Sequence, residues 1–206
     1  EALAGVSAAL LCIYDLTKMI DPVLRFGEVE LEEKDGGKSG KWRNPNVKQK
    51  EAVKIAKLFA PQTPVAGIVM SDRAHHGIYE DRSGPAIAEW FKVRGVDQVE
   101  ITILPDEPSK LTHQLTELVK SNYAGLVVVS GGTGITKRDI TPDVLISLAE
   151  THGGRQVPGI GERLRSSGAQ YTSFSWLSRS VSVIVNQIFI LSLPGSPKAV
   201  LEGLNE

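Results

Sequence analysis

Residues 126–149 read LVVVSGGTGITKRDITPDVLISLA and combine three local signals of one fold class. The run Leu126–Val129 is apolar throughout, as is typical of a parallel strand that is covered on both faces. A glycine-rich turn, Gly131-Gly132-Thr133-Gly134, follows it. Thr141-Pro142-Asp143 then begins a helix that we expect to reach Ala149, because proline is tolerated in a first turn. This strand–turn–helix unit indicates an α/β domain.

The same alternation extends from Pro64 to the end of the chain. The predicted strands are Val65–Met70, Val99–Leu104, Val181–Val185 and Ile188–Leu193, the last two forming a hairpin around Asn186-Gln187. One helix is predicted to begin at Ser83 as its cap, and others cover Ser109–Ser121, Pro158–Ser166 and Ala199–Leu204. The pattern predicts a three-layer α/β fold around a mostly parallel sheet with an antiparallel edge hairpin.

The residues before Pro64 have a different pattern. Apolar side chains recur at helical spacing between Leu3 and Leu16, which predicts a helix within residues 1–20. Val29 and Leu31 alternate with glutamates and favour a short strand. Residues 34–50 are polar and basic and indicate a loop or linker. A short helix is expected from Lys48 to Phe59, because prolines follow it.

Bulk composition excludes several classes of protein. A formal net charge of -1 gives no sign of a nucleic-acid footprint, and one cysteine, Cys12, excludes a disulfide framework or a multi-thiolate zinc site. The lone thiol favours a reducing compartment, so we expect a cytoplasmic protein. The apolar stretch Leu3–Ile13 is too short to span a bilayer and has no basic leader, so no membrane partner is expected. The chain begins without methionine, which favours a fragment or a processed chain.

Polar segments follow the predicted strands at the point where each strand ends. They are Ser71-Asp72-Arg73, Pro105-Asp106-Glu107, the glycine-rich turn leading to Arg138-Asp139, and Pro194-Gly195-Ser196-Pro197-Lys198. Ligands of open parallel sheets bind beyond the carboxyl ends of the strands, so we expect these segments to share one edge.

The glycine-rich turn has two interpretations. Glycines let backbone N–H groups approach a phosphate closely, and the following helix adds its positive end. The same residues would equally form a plain strand-to-helix turn. The turn is not a Walker A loop, because it contains no Gly-Lys pair, and Lys137 stands where the dinucleotide pattern requires a third glycine.

Charged residues near these segments suit a metal–triphosphate site. Asp106 and Asp139 are candidate magnesium ligands, although loop aspartates more often cap helices or solvate loops. Candidate phosphate-neutralising residues, each of which also fits an ordinary surface charge, are Arg73, Lys137, Arg138, Arg179 and Lys198. His75-His76 is interpreted as part of a surface loop, because adjacent histidines do not easily face one ion. Trp90 and Trp176 are expected to be packing residues.

Several motifs together resemble the MogA/MoaB and gephyrin G-domain family over about 140 residues. They are Ser71-Asp72-Arg73, Gly77-Ile78-Tyr79-Glu80-Asp81, Ser83-Gly84-Pro85, Leu104-Pro105-Asp106-Glu107, residues 131–142, Pro158-Gly159-Ile160-Gly161-Glu162, Leu177-Ser178-Arg179 and residues 193–198. They run in the family's order. The motifs are shared by MogA-like and MoaB-like members and do not separate the two subgroups.

The resemblance implies a cytoplasmic, usually trimeric molybdopterin adenylyltransferase. The terminal phosphate of molybdopterin would attack the α-phosphorus of ATP, with magnesium pyrophosphate leaving. By this resemblance Asp106 and Asp139 are the catalytic and metal-binding acids. The implied substrate- and nucleotide-binding residues are Ser71, Asp72, Gly131, Gly132, Thr133, Gly134, Ser178, Arg179, Pro194, Gly195 and Ser196. The implied partners are molybdopterin, ATP and Mg²⁺.

Residues 1–43 resemble the C-terminal end of MoaC, the cyclic pyranopterin monophosphate synthase. The motifs are Glu1-Ala2-Leu3, residues 13–18 and residues 33–40. This resemblance places Asp15 and Lys18 at active-site positions with Lys38 near them, while an acid and a lysine three residues apart are equally an ordinary helix-surface pair. Because only the end of MoaC is matched, we expect no synthase activity.

The expected organisation is therefore a MoaC-like fragment at 1–43, a linker and helix at 44–63, and the adenylyltransferase domain at 64–206. Two other functions stay open. One is a module that holds molybdopterin without transferring AMP, and the other is an oligomerisation domain of a MoaC fusion protein. The paired acids favour the enzyme, since a carrier of the pterin has no need of a magnesium site.

Overall fold

A computed structural model describes residues 2–17, 29, 31, 33–36, 40–44 and 59–206 of the 206-residue chain. The chain separates into two compact units, residues 1–54 and 55–206. Among the described residues, no helix is long and apolar enough to cross a membrane.

The N-terminal unit contains one long helix and a short strand pair. Helix α1, Ala2–Thr17, confirms the helix predicted from apolar spacing. Strand β1, Glu33–Lys34, pairs antiparallel with β2, Trp42–Arg43, inside the segment interpreted as a loop. Val29 and Leu31 lie outside any strand, so that prediction is wrong. Two-residue strands are too short for side-chain alternation to reveal them.

Two other predictions concern residues that the structure does not describe. Lys18 and Lys38 fall outside the described residues, and so does the predicted helix from Lys48 except at Phe59.

The second unit is built on a six-stranded sheet in the order β4-β3-β5-β8-β7-β6. The strands are β3 Val65–Met70, β4 Val99–Leu104, β5 Gly125–Ser130, β6 Arg155–Gln156, β7 Ser182–Val185 and β8 Ile188–Leu193. Strands β4, β3, β5 and β8 are parallel. At one edge of the sheet, β7 pairs antiparallel with β8, and β6 pairs antiparallel with β7. The predicted mostly parallel sheet with an antiparallel edge hairpin is confirmed. Strand β6 escaped prediction because it has only two residues.

Helices surround this sheet. They are α2 Asp72–His75, α3 Ser83–Lys92, α4 Pro108–Lys120, α5 Thr141–Thr151, α6 Pro158–Gly168 and α7 Pro197–Leu204, with a 3-10 helix at Ser173–Leu177. The predicted helices are present, with ends that differ by one or two residues. The prediction that Ser83 caps α3 is wrong. The carboxylate of Asp81 accepts the N–H groups of Ser83 and Gly84 at 2.8 and 2.9 Å, while the Ser83 hydroxyl donates to the Gly195 carbonyl.

Both faces of the sheet are covered, which explains the uninterrupted apolar run in β5. Val127 and Val129 belong to a core that includes Leu111 and Leu115 of α4. Val128, between them, points into a second core on the opposite face, with residues of α3 and α7. All three valines are fully buried. A strand that buries both faces has no polar side to alternate with.

The two tryptophans differ in environment. Trp90 packs edge-on against Phe59 and Phe91, and the Arg94 guanidinium lies 3.8 Å from its ring centroid. The packing role predicted for Trp90 is therefore confirmed. Trp176 is 60% exposed in the 3-10 helix, so the same prediction is wrong for Trp176.

The register of the parallel strands brings the candidate segments together. Met70 pairs with Leu104 across β3 and β4, and Ser130 pairs with Leu193 across β5 and β8. The four parallel strands thus end at nearly the same level. Because they share one direction, the segments that follow them emerge at one edge of the sheet.

Candidate functional site

A cavity of about 380 Å³ lies at this carboxyl edge of the sheet. Its wall is formed by Val69, Met70, Ser71, Asp72, Arg73, Tyr79, Asp106, Gly131, Gly132, Arg138, Asp139 and Gly195. Apart from Val69 and Met70, which end β3, these residues come from the segments after β3, β4, β5 and β8. The structure thus brings together nine candidate residues, Arg73 and Arg138 among them, from four separate strand ends.

Asp72 and Asp106 contact each other through the backbone N–H group of one residue and the side-chain carboxylate of the other. The Asp106 N–H donates to Oδ1 of Asp72 at 2.8 Å. In return, the Asp72 N–H approaches Oδ2 of Asp106 at 3.5 Å. The reciprocal contact joins the segment after β3 to the segment after β4. It fixes the Asp106 carboxylate in the wall of the cavity.

Arg138 supplies a positive charge to this acid pair. Its guanidinium forms an ion pair with Oδ2 of Asp72 and lies 3.5 Å from Oδ2 of Asp106. The Arg138 side chain is 70% exposed, whereas that of Asp106 is only 21% exposed. A solvent-exposed guanidinium beside these carboxylates is well suited to meet a phosphate that enters from solvent.

The environment of Asp106 disfavours its ionised form. Burial raises the pKa of the Asp106 carboxyl, and the charges of Asp72 and Asp139 raise it further. The Asp72 N–H and the Arg138 guanidinium lower that pKa, but the net value lies above the ordinary one. A cation placed against Asp106 would relieve this repulsion.

Asp139 has a different set of partners. Its Oδ2 accepts the backbone N–H and the hydroxyl of Thr136 at 2.8 and 2.6 Å. Burial raises the pKa of Asp139, but the Thr136 hydrogen bonds, the Gly134 N–H and the Arg179 charge outweigh it, so the net pKa is lowered. Asp139 is thus held as a carboxylate beside the glycine-rich turn.

Gly131 has no room for a side chain. Its φ is +100°, and a Cβ built there would lie 2.4 Å from the carbonyl oxygen of Met70. Its N–H donates to Leu193 and its carbonyl accepts the Thr141 hydroxyl at 2.8 Å. Gly131 therefore lies tightly against the end of β3 and is hydrogen-bonded to the end of β8 and to the start of α5.

The next residues of the turn leave donors available. Gly132 has φ +62°, and its carbonyl accepts the N–H of Thr141. The N–H groups of Gly132 and Thr133 donate no hydrogen bond to any residue that the structure describes. Backbone donors at the mouth of a parallel sheet, next to a helix N-terminus, are typical of phosphate sites. A side chain at Gly132 would also meet the Thr141 hydroxyl at 2.8 Å, so a Gly132→Val variant would disturb the turn itself.

Arg179, predicted from sequence to neutralise phosphate, forms its hydrogen bonds within the protein. Its Nε donates to the Gly134 carbonyl at 2.8 Å and its Nη2 to the Asp139 carbonyl. The same guanidinium pairs with both carboxylate oxygens of Asp143 at 2.9 and 3.0 Å. Arg179 is outside the wall of the acidic cavity and instead anchors the glycine-rich turn to α5.

The other basic candidates vary in availability. Lys198 pairs with Glu202 at 3.7 Å and lies near the Tyr171 ring. Arg73 lines the acidic cavity, with its guanidinium 5.1 Å from the Tyr79 ring centroid. Lys137 is exposed on the turn. Of the five basic candidates, Arg73 and Arg138 thus line the acidic cavity.

A second cavity of about 290 Å³ adjoins the glycine-rich turn. Candidate residues in its wall are Thr133, Gly134, Ser178 and Pro194, and the rest include Leu164, Leu177 and Phe174. The wall is largely apolar, which suits the flat face of a heterocycle. Sequence analysis missed the contribution of the 3-10 helix, because five residues carry no periodic signal.

The remaining candidates have structural partners. Ser71 caps α2 by accepting the Ala74 N–H, and its hydroxyl lies 3.1 Å from that of Tyr79. Ser196 caps α7 in the same way and lies in neither cavity wall. Tyr79 lines the acidic cavity but was not predicted as a site residue. The motif that contains it was the only indication of it in the sequence. His75 and His76 are exposed, and no cluster of three metal-ligating side chains occurs in the described part of the chain.

The second unit matches a known family in sequence and in fold. Residues 66–206 match the family described as "Probable molybdopterin binding domain". The chain belongs to this family.

Particular relatives extend the comparison. The chain is 42% identical over 209 residues to a "Molybdenum cofactor biosynthesis bifunctional protein" of Synechococcus elongatus, and the match covers 99% of this chain and 61% of that protein. The "Molybdopterin adenylyltransferase" of Escherichia coli K12 is 38% identical over 139 residues, covering 66% of this chain and 69% of that enzyme. The chain therefore spans about 60 to 70% of the length of these relatives.

Solved structures agree with the assignment. The Mog protein of Mycobacterium ulcerans aligns with a TM-score of 0.63 and 34% identity, covering 69% of this chain and 90% of that chain. A tungsten cofactor synthesizing MoaB protein of Pyrococcus furiosus aligns with a TM-score of 0.60 and 34% identity, covering 71% and 91%. Both matches support the three-layer architecture, and they include both named subgroups.

Proposed function

We propose that the domain at residues 64–206 is a molybdopterin adenylyltransferase of molybdenum cofactor biosynthesis. It would transfer AMP from ATP to the terminal phosphate of molybdopterin and release pyrophosphate. The observation that carries the proposal is the acidic cavity at the carboxyl edge of the sheet. There Asp72, Asp106 and Asp139 stand beside Arg138 and the glycine-rich turn. Relatives named as adenylyltransferases support an enzyme of the transferase class.

The donor set of this cavity fits Mg²⁺. Magnesium is bound by one or two carboxylates together with phosphate oxygens and waters, so a full protein cage is not needed. Asp106 and Asp139 are the proposed ligands, and both line the cavity. The raised pKa of Asp106 supports this role, because a cation would stabilise its ionised form. Bound magnesium would neutralise charge on the triphosphate and on the leaving pyrophosphate.

The protein groups would contribute mainly position and charge. The N–H groups of Gly132 and Thr133 would donate to phosphate oxygens, and Arg138 would meet the triphosphate from the solvent side. Phosphoryl-type transfers need little covalent help, so no protein nucleophile is required. The proposed binding residues Ser71, Asp72, Gly131 and Gly195 shape the same wall. Ser178, Pro194 and Gly134 belong to the apolar cavity, which would take a ring system of a substrate.

Residues 1–43 are proposed to be a MoaC-like C-terminal fragment, followed by a linker and helix at 44–63. Two relatives support this division. The matches that cover 99% of the chain are to proteins named bifunctional, whereas the adenylyltransferase matches cover about two thirds of it. Asp15 lies on α1 in this unit.

A homotrimer formed through the 64–206 domain and a cytoplasmic location remain proposals that rest on the family resemblance. The trimer is tested by light scattering after size-exclusion chromatography. A mass about three times the 22.3 kDa of one chain is expected. A single-chain mass at all concentrations would contradict it.

The function is tested by pyrophosphate release from the purified chain with molybdopterin, ATP and Mg²⁺. We expect release that depends on molybdopterin and is lost in Asp139→Asn and Asp106→Asn. Glu117→Gln is the matched control, because Glu117 is an exposed acid of α4 outside the cavity. Molybdopterin binding without release would refute the enzyme and leave a pterin-binding module. Loss of the folded state in Asp139→Asn would show that this acid is structural.

A further inference from the structure

The family resemblance implies that Asp72 binds the substrate, but both of its carboxylate oxygens already have partners in the protein. Oδ1 accepts the Asp106 N–H at 2.8 Å, and Oδ2 forms the ion pair with Arg138. Each carboxylate oxygen of Asp72 thus already has a partner within the protein. Its partners, by contrast, are a proposed metal ligand and the cation best placed to meet phosphate.

We propose that Asp72 is a positioning residue, which sets the Asp106 carboxylate and aims the Arg138 guanidinium without itself contacting the substrate. This inference rests on the proposed adenylyl transfer. Asp72 lies at the first position of α2, directly after β3. From there it joins three segments that are distant in sequence: its own, the segment after β4, and the turn after β5.

The position of Asp72 is itself fixed by the local fold. Ser71 accepts the Ala74 N–H, which starts α2, and the Ser71 N–H donates to the Leu104 carbonyl at 2.9 Å. The Asp72 side chain is 38% exposed and that of Arg138 is 70% exposed. Apart from Asp72, the described residues give the Arg138 side chain one ion-pair partner, Asp106 at 3.5 Å. Without Asp72, its guanidinium keeps only this longer contact and is held less firmly.

The two roles of Asp72 are separable by substitution. Asp72→Asn keeps an acceptor oxygen for the Asp106 N–H but loses the charge that holds Arg138. Asp72→Ala loses both. We expect Asp72→Asn to raise the KM for ATP about tenfold with kcat little changed, as expected for loss of a charge-assisted contact. Asp72→Ala is expected to lower kcat as well, about a further tenfold, because displacing a reacting group by about 1 Å costs up to ~100-fold.

The decisive experiment is a double-mutant cycle of Asp72→Asn with Arg138→Gln, followed by steady-state AMP transfer with molybdopterin, ATP and Mg²⁺. Asp72→Asn and Arg138→Gln both break the same ion pair. The kcat/KM of the double variant should therefore fall about tenfold, as it does in either single variant. Independent effects would multiply to about 100-fold and would overturn the inference, since Asp72 would then act on the ligand directly. Equal kcat for Asp72→Ala and Asp72→Asn would also overturn the positioning of Asp106.

Matched controls separate this inference from the proposed function. Glu117 and Lys120 form an exposed ion pair at 3.0 Å on α4, and Glu117→Gln with Lys120→Gln should leave KM and kcat unchanged. If the wild-type chain transfers no AMP, the proposed function fails, and the positioning role fails with it. If the wild-type chain is active and the cycle shows no coupling, the proposed function stands and only the role of Asp72 is lost.

Discussion

Arg179 tests whether the glycine-rich turn depends on a structural anchor. Its guanidinium donates to the carbonyls of Gly134 and Asp139 and pairs with Asp143. Replacing Arg179 with lysine keeps the charge but removes the planar set of donors that reaches these acceptors together. We expect Arg179→Lys to destabilise the domain although it is a conservative change of charge.

The magnitude follows from the contacts. Hydrogen bonds to a charged donor contribute about 1.5–3 kcal/mol each when buried. The Arg179 side chain is 38% exposed, so we count the two carbonyl contacts at about 1 kcal/mol each. The exposed pair with Asp143 contributes up to about 1 kcal/mol, of which lysine retains part. The expected loss is about 2 kcal/mol for Arg179→Lys and about 3 kcal/mol for Arg179→Met.

Thermal unfolding followed by circular dichroism measures this loss. At about 2–4 °C per kcal/mol for a chain of this size, Tm should fall by about 4–8 °C in Arg179→Lys and further in Arg179→Met. ATP affinity should weaken in both variants, because a looser turn presents its N–H groups less well. An unchanged Tm in Arg179→Lys, with ATP affinity lost only in Arg179→Met, would refute the reasoning and make Arg179 a phosphate ligand.

Three further predictions concern stability. Gly131→Ala should cost at least about 3 kcal/mol in denaturant unfolding, because its Cβ would meet Met70, whereas Gly153→Ala, with positive φ but open space, should cost only about 1–2 kcal/mol. Asp81→Ala should cost about 1 kcal/mol by removing the acceptor at the start of α3, and Asp81→Asn should cost less. The raised pKa of Asp106 means that its ionisation lowers the free energy of unfolding. This loss of stability grows as the pH rises above 3.8, the ordinary pKa of the group. Asp106→Asn should therefore raise Tm slightly at pH 7, and the gain should vanish at about pH 3, where the carboxyl group is mostly protonated; a gain that grew towards low pH would contradict this sign.

Much of the fold was predictable because its signals are local. Apolar runs such as Leu126–Val129 identify strands that are covered on both faces, and proline after threonine marks the start of α5. Once the strands were known to be parallel, the common edge of their following segments was a geometric consequence. The meeting of Asp106, Asp139 and the glycine-rich turn in one cavity agrees with that expectation.

The predictions that were wrong concern side chains whose partners are distant in sequence, or elements too short to show a periodic pattern. Ser83 looks like a cap, yet its hydroxyl donates to Gly195, 112 residues away, and Asp81 supplies the acceptors. Trp176 has the composition of a core residue but lies exposed in a 3-10 helix. Propensities assign residue types to local conformations and carry no information about such partners.

The sequence by itself determined the order of strands and helices, the direction of the main strands and the edge at which polar segments collect, because each depends on neighbours in the chain. Only the tertiary structure decided what the polar side chains do. It shows Arg179, a candidate for neutralising phosphate, bound instead to the glycine-rich turn, and Asp72 bound between Asp106 and Arg138. A charged side chain has several possible partners of similar energy, and packing selects among them by distance and direction, which no local pattern records.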